Sequence, residues 1–188
     1  LGILAARYPD IPVISEETKA LPYSERKHWK RCWLVDPLDG TKEFIRKNGE
    51  FTVNIALVAD GAPVLGVVYQ PVTGILYAAE AGKGSWREEP GVDPVRLWND
   101  RHYTTERQVT VVASRSHLTP ETESFVEDLR ASGRDVEFLS SGSSLKLCLV
   151  AEGREAPGRR PAGIGHQAVE APETPDRGVD PGRERRGI

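Results

Sequence analysis

Between Leu1 and Gly153 apolar residues fall in short runs separated by turn-forming residues. Pro12-Val13-Ile14-Ser15 reads as a short strand that delivers Glu16 and Glu17 at its end, and Cys32 to Val35 as a second, ending at Asp36. Phe51 to Ala59 and Pro63 to Gln70 are long, apolar and rich in β-branched residues, and Asp60-Gly61-Ala62 between them is a hairpin signal. Gly74 to Ala79 continues the pattern into an antiparallel meander.

The second half changes rhythm. Val109 to Ala113 is a strand, and Pro120 to Ser132 places Phe125, Val126 and Leu129 on one side of a helix that Thr119 caps and Gly133 stops. Asp135 to Leu139 returns as a strand, after which Ser143 or Ser144 opens a helix through Leu145, Leu147, Leu149 and Val150. Alternating strands and helices behind a meander predict a layered α/β protein with a mixed sheet arrangement. From Arg154 to Ile188 there is no Leu, Phe, Tyr, Trp or Lys, while Arg, Pro and Gly recur. Such a stretch buries little against its chain entropy, so residues 1–153 are expected to form the domain and residues 154–188 a disordered or loosely attached tail.

The bulk numbers narrow the function. At 188 residues, with 38% hydrophobic and 28% charged, the chain is long enough for one domain with a real core. A net charge of −3 gives no basic field for a nucleic-acid backbone, yet a few local cations suffice for a small phosphorylated molecule. No apolar run approaches the roughly 18 residues of a spanning helix, and Leu1-Gly2-Ile3-Leu4 lacks the charged start of a signal peptide. Cys32 and Cys148 have neither metal-ligand spacing nor a disulfide pattern and read as reduced thiols of a cytoplasmic protein. Peripheral attachment at the inner face of the membrane stays compatible with this, and no feature specifies an oligomeric state. The chain has no Met, even at position 1, and is therefore read as part of a longer reading frame.

Candidate chemistry lies in Trp33-Leu34-Val35-Asp36-Pro37-Leu38-Asp39-Gly40-Thr41. Proline after Asp36 is expected to end the strand ladder and force a tight turn, letting Asp36 and Asp39 face one side. With Glu16 or Glu17 arriving from a neighbouring strand end, and the Leu38 carbonyl, the result is an all-oxygen environment suited to a hard ion such as Mg²⁺. Thr41 is expected to cap a short helix, whose first amides, with Gly40 allowing close approach, would cradle an anion. Asp, Pro and Gly also make ordinary turns, and paired acids ordinary surface. Spacing alone does not choose between these readings.

Separated blocks carry a resemblance. S-E-E at Ser15 to Glu17, W-L-V-D-P-L-D-G-T-K-E-F at Trp33 to Phe44, N-G-E-F-T-V-N-I-A-L-V at Asn48 to Val58 and G-V-V-Y-Q-P at Gly66 to Pro71 resemble the inositol monophosphatase superfamily. So do S-R-S-H at Ser114 to His117 and G-S-S-L-K-L-C-L-V-A-E-G at Gly142 to Gly153. Within the superfamily the chain is similar to the 3′(2′),5′-bisphosphate nucleotidases of the bacterial CysQ type. The resemblance implies the layered αβαβα sugar-phosphatase fold and Mg²⁺-dependent, lithium-inhibited removal of the 3′-phosphate from adenosine 3′,5′-bisphosphate, a by-product of sulfate activation in sulfur metabolism. Matched by position, Glu16, Asp36 and the Leu38 carbonyl would hold one ion, while Asp36 would bridge to a second that Asp39 holds. Thr41 would orient the water with Glu16, and Leu38, Asp39, Gly40 and Thr41 would meet the substrate. His117, Ser143 and Lys146 are the matching nucleotide positions, each with an ordinary alternative as loop residue, helix cap or surface charge. Inositol or sugar monophosphates form the neighbouring substrate class, and a non-catalytic remnant that binds metal or phosphate is a reading of another kind.

Two departures qualify the resemblance. The family begins before the S-E-E strand with two helices and an acidic residue that helps to activate the threonine and water. It also follows L-V-A-E-G with a segment reaching a W-D motif whose aspartate is a metal ligand. Here Trp98 is the last Trp, and the stretch after Glu152 becomes the Arg/Pro/Gly tail, read as an aberrant or frame-shifted translation. The fold is thus expected to be incomplete at both ends, with little or no turnover.

Overall fold

In the computed structural model, residues 1–19, 21–98, 107–114 and 119–153 are described, together with the backbone of 166–170. Short helices α1 (Gly2–Arg7), α2 (Tyr23–Arg26) and α3 (Thr41–Arg46) punctuate the first half. Seven strands lie side by side in chain order: β1 (Val13–Ser15), β2 (Arg31–Asp39), β3 (Thr52–Ala59), β4 (Ala62–Gln70), β5 (Ile75–Glu80), β6 (Gly84–Glu89) and β7 (Val92–Leu97). Only β1 and β2 are parallel; each later neighbour is antiparallel. The β3–β4 hairpin closes on Asp60 (φ 49°) and Gly61 (φ 80°), both left-handed, as a two-residue turn matched to strand twist requires.

Helices α1 and α2 and strands β6 and β7 escape a reading by apolar runs. Gly84–Glu89 is mostly polar and Val92–Leu97 is largely exposed, and neither has a buried residue, so pairing rather than burial makes them strands. Pro94 is tolerated because β7 is the sheet's edge.

The Pro37 turn expected from sequence is corrected. Strand β2 runs through Pro37 to Asp39, but Asp36 pairs with Asn54 and Asp39 with Thr52, so three steps on β2 oppose two on β3. The extra residue makes a bulge, where a proline without an N–H costs no ladder bond. Thr41 is corrected too. Gly40, at φ 89°, holds the N-cap position of α3, and Thr41 is its first helical residue, sending its hydroxyl back to the Leu38 carbonyl at 3.4 Å. A left-handed entry favours glycine over threonine.

A second sheet is wholly parallel, in the order β10 (His166–Glu170), β8 (Gln108–Ser114), β9 (Asp135–Ser141). Val109, Val111 and Val112 are fully buried on the middle strand, which is why V-T-V-V-A is a continuous run rather than an alternation. Helix α4 (Pro120–Ala131) covers one face through Val126 and Leu129; Thr119 caps it by accepting the Thr122 N–H at 3.3 Å, and Gly133 follows its end at φ 82°. Strand β10 falls within the stretch read as tail, its backbone paired along β8.

Helix α5 (Leu145–Glu152) lies between the sheets, meeting β8 and β10 on one side and packing Leu145 and Cys148 against Tyr77, Val68 and Ile75 of the large sheet on the other. The order large sheet, α5, small sheet, α4 gives the layered α/β architecture expected from sequence. Cys32 and Cys148 are unpaired, and burial pushes the Cys148 thiol up to about 12, leaving it inert. No described helix is long and apolar enough to cross a membrane.

Candidate active site

The carboxylates gather where β1 ends against β2, which runs on through its bulge. Ser15, the last residue of β1, pairs with Val35, so Glu16 and Asp36 follow side by side. The Asp36 carboxylate beside it and hydrogen-bonded to it, then burial, then Glu17 and Asp39, hold the Glu16 carboxyl above its ordinary 4.5. Two carboxylates this close repel one another when both are ionised, and a cation would relieve that repulsion. Asp36 Oδ1 accepts the Leu38 N–H at 3.1 Å, which orients the carboxylate from within the bulge.

Asp39 faces another set of partners. Its Oδ2 accepts from the Ser144 hydroxyl at 2.5 Å, the Ser144 N–H at 2.6 Å, Asn54 Nδ2 at 3.1 Å and the Thr52 hydroxyl at 3.3 Å. Burial works against the ionised form, but the bonds from Ser144, Asn54 and Thr52 outweigh it and place this carboxyl below its ordinary 3.8. Among the described residues no three His, Cys, Asp or Glu side chains gather tightly enough to enclose an ion by themselves. The expected ligand set therefore stands as two groups: Glu16 with Asp36, and Asp39 turned toward α5.

Asp39 gives a pH-dependent prediction. The unfolded chain binds its proton at a higher pH than the folded one, so its stabilisation is full above the unfolded value and is lost as pH falls through the folded value. Ser144→Ala is expected to cost about 1 to 2 kcal/mol at pH 7, the lower part of the range for bonds to a charged group because Asp39 is only half-buried. The deficit should shrink in urea titrations at successively lower pH; a deficit constant down to full protonation would contradict the assignment.

Gly40 permits a close approach, and what approaches is the turn between β9 and α5. A Cβ on Gly40 would lie 3.1 Å from Ser143 Cβ and 3.2 Å from the Glu50 carbonyl oxygen. Ser143, at φ 52°, thus sits against the start of α3, and its Oγ accepts the Leu145 N–H at 3.4 Å. Lys146 lies in the first turn of α5. His117 lies outside the described residues. A cavity of about 550 Å³ is lined by Glu16, Asp36, Asn54 and Ser144 at its polar end and by residues such as Val68 and Leu147 elsewhere. Its volume suits a small ligand. Trp33 is buried against Tyr8, their rings 5.6 Å apart, and is a packing residue.

Sequence reasoning missed Thr52, Asn54 and Ser144 as partners of Asp39. A signal was present: in F-T-V-N-I-A-L-V, Thr52 and Asn54 are two polar residues at strand period in an apolar run, hence on one face.

Comparison with known proteins places this arrangement. Residues 1–156 match the model of the inositol monophosphatase family. Over 146 residues the chain is 51% identical to the 3′(2′),5′-bisphosphate nucleotidase CysQ of Shigella flexneri and to that of Escherichia coli K12, covering 78% of this chain and 55% of each relative. It thus spans about half the length of the curated relatives it matches. The crystal structure of CysQ from Bacteroides thetaiotaomicron superimposes with a TM-score of 0.68 at 46% identity, covering 80% of this chain and 60% of that one. The Staphylococcal IMPase-II is similar at 27% identity in structures with 2′AMP (TM-score 0.61) and with inositol monophosphate bound (TM-score 0.59), each covering 81% of this chain and 55% of that one. With a family match over most of its residues and the shared fold around the paired strand ends, the chain belongs to the inositol monophosphatase family.

Proposed function

We propose that this protein is a Mg²⁺-dependent 3′(2′),5′-bisphosphate nucleotidase that hydrolyses adenosine 3′,5′-bisphosphate to AMP and phosphate in the cytoplasm. The observation that carries the reading is the Glu16–Asp36 pair, two carboxylates held against their own repulsion beside the Leu38 carbonyl bulge. An all-oxygen set of this kind fits a hard divalent cation. Glu16, Asp36, the Leu38 carbonyl and Asp39 are the residues that would hold Mg²⁺, which when bound supplies charge neutralisation and a lowered water pKa.

The chain's own residues do the rest. Glu16 and the Thr41 hydroxyl orient the attacking water, and the amides at Gly40 and Thr41 receive phosphate oxygens. Asp39, with Ser143 and Lys146 from the α5 side, and His117 position the nucleotide. The reaction joins a water oxygen to phosphorus, breaks the bond to the ribose 3′-oxygen and returns a proton to that oxygen.

The second reading, hydrolysis of inositol or sugar monophosphates, is favoured by the similarity to a staphylococcal protein whose structures hold either 2′AMP or inositol monophosphate. Calorimetry separates the two. With Mg²⁺ saturating, adenosine 3′,5′-bisphosphate is expected to bind about tenfold or more tightly than inositol 1-phosphate, a gap of about 1.4 kcal/mol. Equal or reversed affinities would move the assignment to sugar phosphates, and binding of both without any help from Mg²⁺ would remove the metal from it. Whatever its rate, phosphate release is expected to require Mg²⁺.

A further inference from the structure

The turn Gly142-Ser143-Ser144 carries two of the four bonds to Asp39. From its other side it is gripped by Glu50, to which the sequence reading gives no role in the site. Glu50 Oε2 accepts the Gly142 N–H at 2.9 Å. Glu50 is itself fixed in place: its N–H donates to Asn48 Oδ1 at 3.0 Å, and Gln70 of β4 donates to the adjoining Gly49 carbonyl at 2.9 Å. The fit leaves no slack. A Cβ on Gly142 would come within 2.5 Å of Glu43 Cγ, and one on Gly40 within 3.2 Å of the Glu50 carbonyl oxygen.

Ser143 makes this grip necessary. At φ 52° it holds a left-handed conformation that disfavours a residue with a Cβ, and such a conformation persists only where its surroundings over-determine it. The Leu145 N–H on Ser143 Oγ fixes the turn on its C-terminal side, and Glu50 fixes it on the N-terminal side. A carboxylate is a stronger acceptor for a backbone N–H than a neutral oxygen.

We propose that Glu50 is a positioning residue of the site: its carboxylate sets the Gly142–Ser144 turn and, through it, both the placement of Ser143 and the orientation of Asp39. This rests on the reading of Asp39 and Ser143 as substrate-side groups. In this role Glu50 acts through the turn and not directly on the substrate or the ion.

The test compares Glu50→Ala, Glu50→Gln and the milder Glu50→Asp in the full chain by two readouts. One is native-state hydrogen exchange at the amides of Gly142 and Ser144; the other is calorimetric affinity for adenosine 3′,5′-bisphosphate with Mg²⁺. In Glu50→Ala the Ser144 amide, bonded to Asp39 and not to Glu50, is expected to exchange faster, and affinity to fall about tenfold. Glu50→Gln, whose amide oxygen still accepts, should restore both most of the way. Glu50→Asp, one methylene short, should shift both in the same direction by less, and serves if the alanine variant does not fold. Faster exchange confined to Gly142 with unchanged affinity would overturn the proposal, as would a glutamine variant no better than alanine. If the unsubstituted chain binds no bisphosphate, the nucleotidase reading fails, while the exchange at Ser144 still decides whether Glu50 orders the turn.

Discussion

Asp36→Asn is expected to lower Mg²⁺ affinity by about a hundredfold or more, since loss of a mere supporting partner of a metal ligand already costs about 10- to 100-fold. Asparagine keeps the Oδ1 that accepts the Leu38 N–H, so the bulge survives and only the charge is removed. Without Asp36 the first-named cause of the raised Glu16 value disappears, and that carboxyl should return toward its ordinary 4.5. The sign on stability is therefore opposite to the sign on binding. In the ion-free wild type the folded chain holds the Glu16 proton more tightly than the unfolded chain, so stability falls as pH rises through that titration. In Asp36→Asn this fall flattens, and the melt at neutral pH is unchanged or slightly raised. Mg²⁺ calorimetry over a pH series carries the same sign, because protonation of Glu16, favoured by the folded wild type, opposes cation binding. Retained affinity, or lost affinity with a collapsed melt, would show Asp36 to be structural.

How legible this was in the sequence differs from element to element. The β3–β4 hairpin was written in Asp60-Gly61 between two β-branched runs, and α4 in Thr119 and Gly133 at the ends of a periodic apolar face. In both cases local chemistry and burial point the same way. Strands β6 and β7 carry no such agreement: G-S-W-R-E-E and V-D-P-V-R-L are strands because β5 offers an edge and the hairpin turns return to it. Pro37 misled because its local rule, no donor for the ladder, is satisfied equally by a turn and by a bulge, and only the register against β3 decides between them. For the site, spacing put Glu16 or Glu17 near Asp36, and the parallel pairing of Ser15 with Val35 sets Glu16 beside it. The Asp39 cluster was out of reach by that route, because Ser144 lies 105 positions away and arrives through the packing of α5. Glu50 was hidden for the same reason, at 92 positions from Gly142.

Glu152→Ala is expected to cost about 3 to 5 kcal/mol, the usual penalty for leaving one partner of a buried ion pair behind. The Glu152 side chain is 5% exposed and that of Arg87 13%, with Arg87 Nε 2.8 Å from Glu152 Oε1. The Arg87 N–H is not aligned on that oxygen, so the contact is an ion pair rather than a formed hydrogen bond. The Tyr77 hydroxyl donates to the same oxygen at 2.6 Å, and burial, then Glu152, push the Tyr77 phenol up. Arg87 keeps Glu89 at 2.8 Å, but Glu89 is 41% exposed and compensates weakly. These three residues fasten the end of α5 to β5 and β6, so the loss loosens the layer that carries Ser144 and, through it, Asp39. Set against a typical stability of about 5 to 15 kcal/mol, it leaves a chain that unfolds in little denaturant. Urea titration followed by circular dichroism measures it. The double variant Glu152→Leu, Arg87→Met separates the charge from the packing: it is expected to recover most of the stability, because replacing a buried pair with apolar residues of similar volume is often neutral. A double variant as unstable as Glu152→Ala would mean that the hydroxyl of Tyr77, left without its acceptor, is the dominant loss, and Tyr77→Phe added to the pair should then restore the midpoint.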